Sequence, residues 1–254
     1  MSLLTRRNAL ITAGAGLMLG GCEQLNNSPS FRRVLASAEG LTHKAQRLIL
    51  SGQPLAREFS KAELSPTFRS NGTQHPNTEA YWADLRSGFR NWRLRVDGLV
   101  DHPLELSLPE LRRLPSRTQI TRHDCVEGWS AIGQWTGVPL SLLLKAAGTQ
   151  SGARYVVFHC ADNLGQTGTP AGDYDESIEM ADAWHPQTIM AYAMNGAVLP
   201  VAHGFPLRLR VERFLGYKHA KYVNRIEVVK TFAAINGGKG GFWEDHGYEW
   251  YAGI

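Results

Sequence analysis

Side chains able to do chemistry gather at three places in this 254-residue chain. The first is Thr121-Arg122-His123-Asp124-Cys125-Val126-Glu127-Gly128-Trp129. A thiolate is a strong ligand for a soft or high-valent metal. A guanidinium such as Arg122 beside Cys125 would favour the thiolate over the thiol. One cysteine by itself carries little, because free cysteine is among the most buried residue types. The second place is His203-Gly204-Phe205-Pro206-Leu207-Arg208, and the third is Gly216-Tyr217-Lys218-His219-Ala220-Lys221. A glycine-bearing loop with lysine, histidine and arginine suits phosphate, since backbone N–H groups approach closely and cations neutralise charge. Neither place has a Walker or G-x-G-x-x-G pattern. Taken singly, each also fits a solvated basic loop.

The elements that must position these groups are those of a mixed α+β chain. Trp92 to Val96 alternates as a strand, and Asp97-Gly98 marks a turn. Ser107 is placed to cap a short helix running to Leu114, with Pro109 near its start. Thr118–Val126 reads as a strand leading into the Cys125 loop. Leu140, Leu143 and Leu144 predict a helix over Pro139–Ala147, closed by Gly148. Arg154–Cys160 reads as a buried strand, Leu207–Val211 alternates, and Tyr222–Val229 is another strand. Thr188–Met194 fits helix or strand, ending at Asn195-Gly196. The glycine- and aromatic-rich tail, Gly237–Ile254, is expected to pack across the domain surface.

Charge and cysteine use narrow the class. The net charge is +4, and without Arg6 and Arg7 there remain 25 basic against 23 acidic residues. No basic stripe with interleaved aromatics supports nucleic-acid binding. Thr5-Arg6-Arg7 followed by an apolar stretch from Ala9 to Leu19 fits a twin-arginine export signal, too short for a confident span of ~20 residues. Leu19-Gly20-Gly21-Cys22 is lipobox-like, so residues 1–21 are expected to be removed and Cys22 lipidated in the periplasm. Twin-arginine export carries folded proteins, often ones loaded with a cofactor in the cytoplasm. Residues 22–64 read as a polar tether, turn-like over Asn26–Ser30, then a short helix with Leu41, Ala45, Leu48 and Ile49 at helical spacing. The functional domain is expected over 65–254. Cys125 and Cys160 are left to form a disulfide or to stay reduced.

Taken together, Arg122 to Leu144, R-H-D-C-V-E-G-W-S…W-T-G-V-P-L…L-L, and His203 to Val229, H-G-x-P-L-R-L-R-V…G-Y-K…A-K-Y-V…I-E-V-V, resemble the sulfite-oxidase family of molybdopterin oxidoreductases. The resemblance runs over roughly 65–250. It implies a mixed, β-rich α+β molybdopterin-binding fold and a Mo-molybdopterin cofactor without an attached nucleotide. By position it makes Cys125 the molybdenum ligand and puts Arg208, His203, His219, Ala220 and Lys221 at the pterin and its phosphate. Cys160 falls where the methionine-sulfoxide reductase branch has a pterin-contacting threonine. Arg69, Ser70, Asn71 and Gly72 fall at an early cofactor loop. Arg122 and His123 are candidates for binding an anionic or polar oxo substrate.

The chain also departs from the family pattern. A b-type haem domain, a C-terminal dimerisation domain and the Asn-Asn-Phe-Tyr pattern of the sulfoxide-reductase branch are not found, so neither sulfite oxidation nor sulfoxide reduction transfers directly. A monomer is expected, trading electrons with an external cytochrome or quinone-linked membrane subunit. Rival readings are a zinc site from Cys125, His123, Cys160 and His159, for which the usual spacing is lacking, a ligand-binding lipoprotein, and a hydrolase with Cys125 as nucleophile.

Overall fold

A computed structural model describes residues 28–49, 54–164 and 172–254. The expected signal and Cys22 lie outside the described residues. The chain divides into two units, Met1–Gly52 and Gln53–Ile254. The first holds helix α1 (Pro29–Ile49). It is longer than the helix expected around Leu41–Ile49 and takes in part of the expected turn. Proline suits the first helical position, where its missing N–H would have had no partner.

The second unit contains α2 (Glu79–Arg86), β1 (Leu94–Gly98), β2 (Leu104–Leu106), α3 (Leu108–Arg113), β3 (Arg117–Cys125), β4 (Trp129–Pro139), α4 (Leu140–Ala147), β5 (Tyr155–Leu164), β6 (Gly172–Glu179), α5 (Met180–Ala183), β7 (Ile189–Met194), β8 (Ala197–Val198), β9 (Arg208–Arg210), β10 (Val223–Val229) and α6 (Phe242–Asp245). One sheet runs β2-β1-β10-β5-β6. The other runs β3-β4-β7-β8, with β9 also on β7. Only β1–β10 pairs in parallel among these strands. The fold is α+β and β-rich, as expected.

Residues 54–64, expected as tether, lie on this unit. Phe59 N–H donates to Ile120 O at 2.9 Å, and Ala56 N–H donates to Gln187 Oε1 at 2.7 Å. The ambiguous segment at Ile189–Met194 is strand β7. It lies between β4 and β9, where a helix would break both ladders. Ser107 accepts from Glu110 N, and Glu110 answers to Ser107 N at 2.8 Å, a complete capping box for α3. Helix α4 ends on Gly148 in the left-handed region, as its sequence predicts.

The main core joins Leu94 and Val96 of β1, Leu111 of α3, Leu140, Leu143 and Leu144 of α4, Phe158 of β5, and Ile226 and Val228 of β10. Helix α4 touches both β1 and β4, so it ties the two sheets together. A smaller cluster holds Trp135, Ile189, Ala191, Met194 and Leu199. These cores fix the ends of β3, β5 and β6, which border the main cavity.

Candidate functional site

Strand β3 ends at Cys125, and β4 begins at Trp129, with Cys125 and Trp129 in register. The connection is Val126-Glu127-Gly128. Gly128 has φ +84° and donates to Cys125 O at 3.0 Å. A three-residue hairpin loop needs a left-handed residue in this place, and glycine takes it without a Cβ penalty. Sequence thus dictates a tight turn, and the turn leaves Cys125 at the rim of a cavity of about 340 Å³. Asn71, Thr73, Glu127, Asp162, Tyr174, His219 and Lys221 also line it.

Strand alternation sorts the Cys125 segment. His123 and Cys125 share the buried face, while Arg122 faces outward. The Arg122 side chain is 58% exposed and donates to Asp124 Oδ2 at 3.0 Å. The expected depression of the Cys125 thiol by Arg122 is therefore not found. Burial pushes that thiol up, and the Glu127 charge adds to the rise. Any metal bound to Cys125 must itself favour the thiolate.

His123 does not line the cavity. It is buried among the rings of Phe68, Trp129 and His219. Its Nδ1 faces Arg210 Nη1 at 3.0 Å. Arginine has no lone pair to offer, so Nδ1 accepts and the proton sits on Nε2. Burial, then Arg210, pushes His123 well below the usual histidine range. A neutral, enclosed imidazole outside the cavity lining supports the Cys125 strand.

The cation beneath this strand is Arg210. Its Nε and Nη2 grip the two Glu212 oxygens at 2.9 and 2.5 Å, and its guanidinium lies 4.4 Å from the Trp135 ring centre. Gln119 Nε2 donates to Glu212 Oε1 at 2.8 Å. Arg208 lies beside it, donating through Nη1 to His203 O at 2.9 Å, with its Nε buried and without a partner. The arginines of the Leu-Arg-Leu-Arg-Val run are thus buried.

Lys221 fastens the early loop. Its Nζ donates to Asn71 O at 2.7 Å, to Ala202 O at 3.1 Å and to Thr73 O. Burial, then Arg208, pushes its pKa down. His219 Nε2 donates to Phe214 O at 3.0 Å, and burial keeps this ring neutral. Burial, Arg208 and Lys221 push His203 down to about 4.

Of the residues given a cofactor or metal role from sequence, Asn71, Gly72, Cys125, His219 and Lys221 meet at the cavity. Arg69 is exposed, and Cys160, His203, Arg208 and Ala220 lie outside its lining. Arg208 and Ala220 are buried in its support. Cys125 and Cys160 are both free thiols. The four-residue zinc set does not assemble. His159 sits in the other sheet, 2.8 Å from Glu227 Oε2, and no three potential ligands cluster among the described residues.

Sequence reading does not single out Thr73, Asp162, Tyr174, Trp243 or Tyr248, yet all line the cavity. Thr73 Oγ1 and Asp162 Oδ1 are buried there without a hydrogen bond of normal geometry. Burial pushes Asp162 up. The Thr73 hydroxyl faces the Asp162 carboxyl and pulls the other way, and the hydrogen-bonding capacity both groups have left suits a polar ligand. A pterin edge, with N–H donors and a carbonyl, fits them, and the cavity is large enough to take a ring system. Nothing in the sequence pattern marks these residues, because an early loop, strands β5 and β6 and the C-terminal segment bring them together only in the fold.

Comparison with known proteins places the chain in a family. Residues 82–234 match the oxidoreductase molybdopterin-binding domain family. The chain is 36% identical over 243 residues to the putative protein-methionine-sulfoxide reductase subunit YedZ1 of Azospira oryzae, covering 96% of this chain and 84% of the relative. It is 34% identical over 177 residues to the protein-methionine-sulfoxide reductase catalytic subunit MsrP of Ralstonia nicotianae, covering 67% of this chain and 53% of that one. Among solved structures it is similar to the sulfane dehydrogenase SoxCD of Paracoccus pantotrophus. That match has a TM-score of 0.50 at 25% identity, covering 56% of this chain and 39% of the other. With the cavity, its thiol and the matched span in agreement, the chain belongs to the oxidoreductase molybdopterin-binding domain family, of sulfite-oxidase type, and is a molybdopterin-dependent oxidoreductase.

Proposed function

We propose that this protein reduces a sulfoxide to a thioether at the Cys125 cavity, with electrons from an external redox partner. The observation that carries the substrate class is the charge of the cavity. Beside Cys125 it is the carboxylate of Glu127 that lines the cavity, while the Lys221 ammonium donates to backbone carbonyls of the early loop and of Ala202. Such a lining disfavours a sulfite dianion and accepts a neutral sulfoxide. Tyr174, Tyr217, Trp243 and Tyr248 add aromatic faces, which suit a sulfur-bearing alkyl group. The names of the relatives, protein-methionine-sulfoxide reductases, point the same way.

Cys125 would hold the molybdenum through its thiolate. Asn71, Thr73, Asp162, His219 and Lys221 would hold the pterin and its phosphate, with Arg208 behind them. When bound, Mo-molybdopterin supplies a two-electron couple for oxygen-atom transfer. The balanced reaction consumes two electrons and two protons, breaks the S–O bond, and releases the oxygen as water. Glu127 is placed to move a proton. It lies two residues from Cys125 at the cavity, and Trp129 Nε1 donates to its Oε2 at 2.9 Å, which fixes its orientation. The aromatic faces and Leu164 restrict water around the reacting sulfur.

The paired arginines and Cys22 support a periplasmic, lipid-anchored protein, which labelling with radioactive palmitate would test. The activity is tested in protein made by a host that synthesises molybdopterin. Stoichiometric molybdenum and reduction of methyl sulfoxides by a reduced viologen dye are expected, both lost in Cys125→Ser. Stoichiometric zinc without pterin, or sulfite oxidation without sulfoxide reduction, would refute the reading.

A further inference from the structure

Three walls of the cavity are fastened together at one buried ion cluster. Lys218 Nζ donates to Glu244 Oε1 at 2.5 Å and to Glu176 Oε1, and no side chain of the three is more than 1% exposed. Each member stands next to a lining residue. Glu176 shares a face of β6 with Tyr174, two residues away. Lys218 follows Gly216 and Tyr217, and Glu244 follows Trp243. Gly241 comes so close that a Cβ there would lie 2.3 Å from Glu244 Oε2 and 2.7 Å from Glu176 Oε1.

Other bonds lay the C-terminal segment over the same place. Tyr174 Oη donates to Tyr217 O at 2.7 Å, and Tyr217 Oη donates to Glu249 O at 2.6 Å. Trp250 Nε1 donates to Ser177 Oγ at 2.8 Å. Trp243 stacks on Tyr248, with ring centres 5.2 Å apart. Both residues lie beyond residue 234, where the family match ends. This wall is therefore supplied outside the matched core.

We infer that the segment 235–254 is a substrate-selecting wall, in which Trp243 and Tyr248 set the size of sulfoxide substituent that reaches Cys125. Lys218, Glu176 and Glu244 are its positioning residues. The inference rests on the reading of the Cys125 cavity as the reaction site. Two carboxylates face one ammonium, so the cluster reaches neutrality with one shared proton. Burial and Glu244 hold Glu176 well above the usual carboxylate range, in keeping with that proton. A Glu244→Gln side chain keeps an acceptor for Lys218 and lets Glu176 balance the charge alone. Glu244→Ala and Lys218→Met break the fastening.

The test uses the full-length, molybdenum-loaded protein, with dimethyl sulfoxide and methyl phenyl sulfoxide as substrates. In Trp243→Ala, Lys218→Met and Glu244→Ala, KM for dimethyl sulfoxide should rise about tenfold while kcat stays within about twofold. Preference should shift toward the phenyl substrate, and Glu244→Gln should stay near wild type. A second readout needs no turnover: alkylation of Cys125 in the full chain made without molybdopterin, by iodoacetamide and by N-phenylmaleimide. The three disruptive variants should raise the bulky-to-small rate ratio, and Glu244→Gln should not. Unchanged KM and unchanged rate ratio in Lys218→Met and Glu244→Ala would overturn the wall. So would equal damage in Glu244→Gln. A molybdenum-loaded wild type inert toward every sulfoxide would refute the proposed activity alone, and the alkylation ratio would still decide the wall.

Discussion

Glu212→Ala tests how much the buried charge beneath the Cys125 strand matters. In the native protein the Glu212 and Arg210 side chains are both 0% exposed, and the carboxylate takes two charge-assisted bonds from the guanidinium. Truncation leaves Arg210 buried without its counter-charge. Removing one partner of a buried pair costs about 3–5 kcal/mol, since the remaining ion has lost water and gains nothing. In a domain of this size each kcal/mol lowers Tm by roughly 2–4 °C, so a fall of about 6–20 °C is expected. Gln119 loses an acceptor as well, which places the effect toward the upper end. The assay is urea unfolding followed by tryptophan fluorescence, because the Trp135 ring lies 4.4 Å from the Arg210 guanidinium. Arg210→Met with Glu212→Leu removes both charges and should recover at least half of the loss. A Glu212→Ala cost below about 1 kcal/mol, or a double variant worse than the single, would refute the reasoning.

Further outcomes follow from the same geometry. Gly216→Ala puts a Cβ 2.6 Å from His123 Nε2, and that ring is walled in, so a loss of about 1–3 kcal/mol and lower molybdenum content are expected by denaturation and elemental analysis. Arg122→Ala should change stability by less than about 0.5 kcal/mol and leave KM unaltered, because its side chain is 58% exposed and faces away from the cavity. His219 is buried neutral, below its ordinary value of 6.5. The unfolded chain therefore takes up the proton first as pH falls, and stability contributed by the neutral ring is lost below about pH 6.5, at up to ~1.4 kcal/mol per pH unit. His219→Gln should flatten that slope in denaturation curves taken from pH 7 to 5. In protein made without molybdopterin, Cys125 should alkylate slowly at neutral pH, and Glu127→Gln should speed it by removing the charge that raises the thiol.

Much of the scaffold is written locally. Ser107 with Glu110 sets a helix start, Gly148 sets a helix end, and Val156, Val157 and Phe158 announce a buried strand. Strand β4 escapes notice because its inward positions include Ala131, Gly133 and Gly137, which carry little apolar signal. Strand β6 escapes because Asp175, Glu176 and Ser177 look solvated, yet all three are buried. Their partners Asn236, Lys218 and Gly240 are far away in the chain. No local pattern reveals a charge whose counter-charge arrives from a distant loop.

The site divides in the same way. Sequence alone determined that Cys125 sits near the end of a strand leading into a loop, because the alternation of β3 is a local fact, while the tight turn at Gly128 came from the structure. It also marked Asn71, His219 and Lys221 through their resemblance to a known pattern. Tertiary structure alone decided which neighbours matter. Alternation turned Arg122 outward and His123 inward, and the buried cation became Arg210, 87 residues away. Asp162, Tyr174 and Trp243 reached the cavity from separate strands and the C-terminal segment. Burial then set the charge states, since a group's cost of ionising depends on the water and partners that packing leaves it.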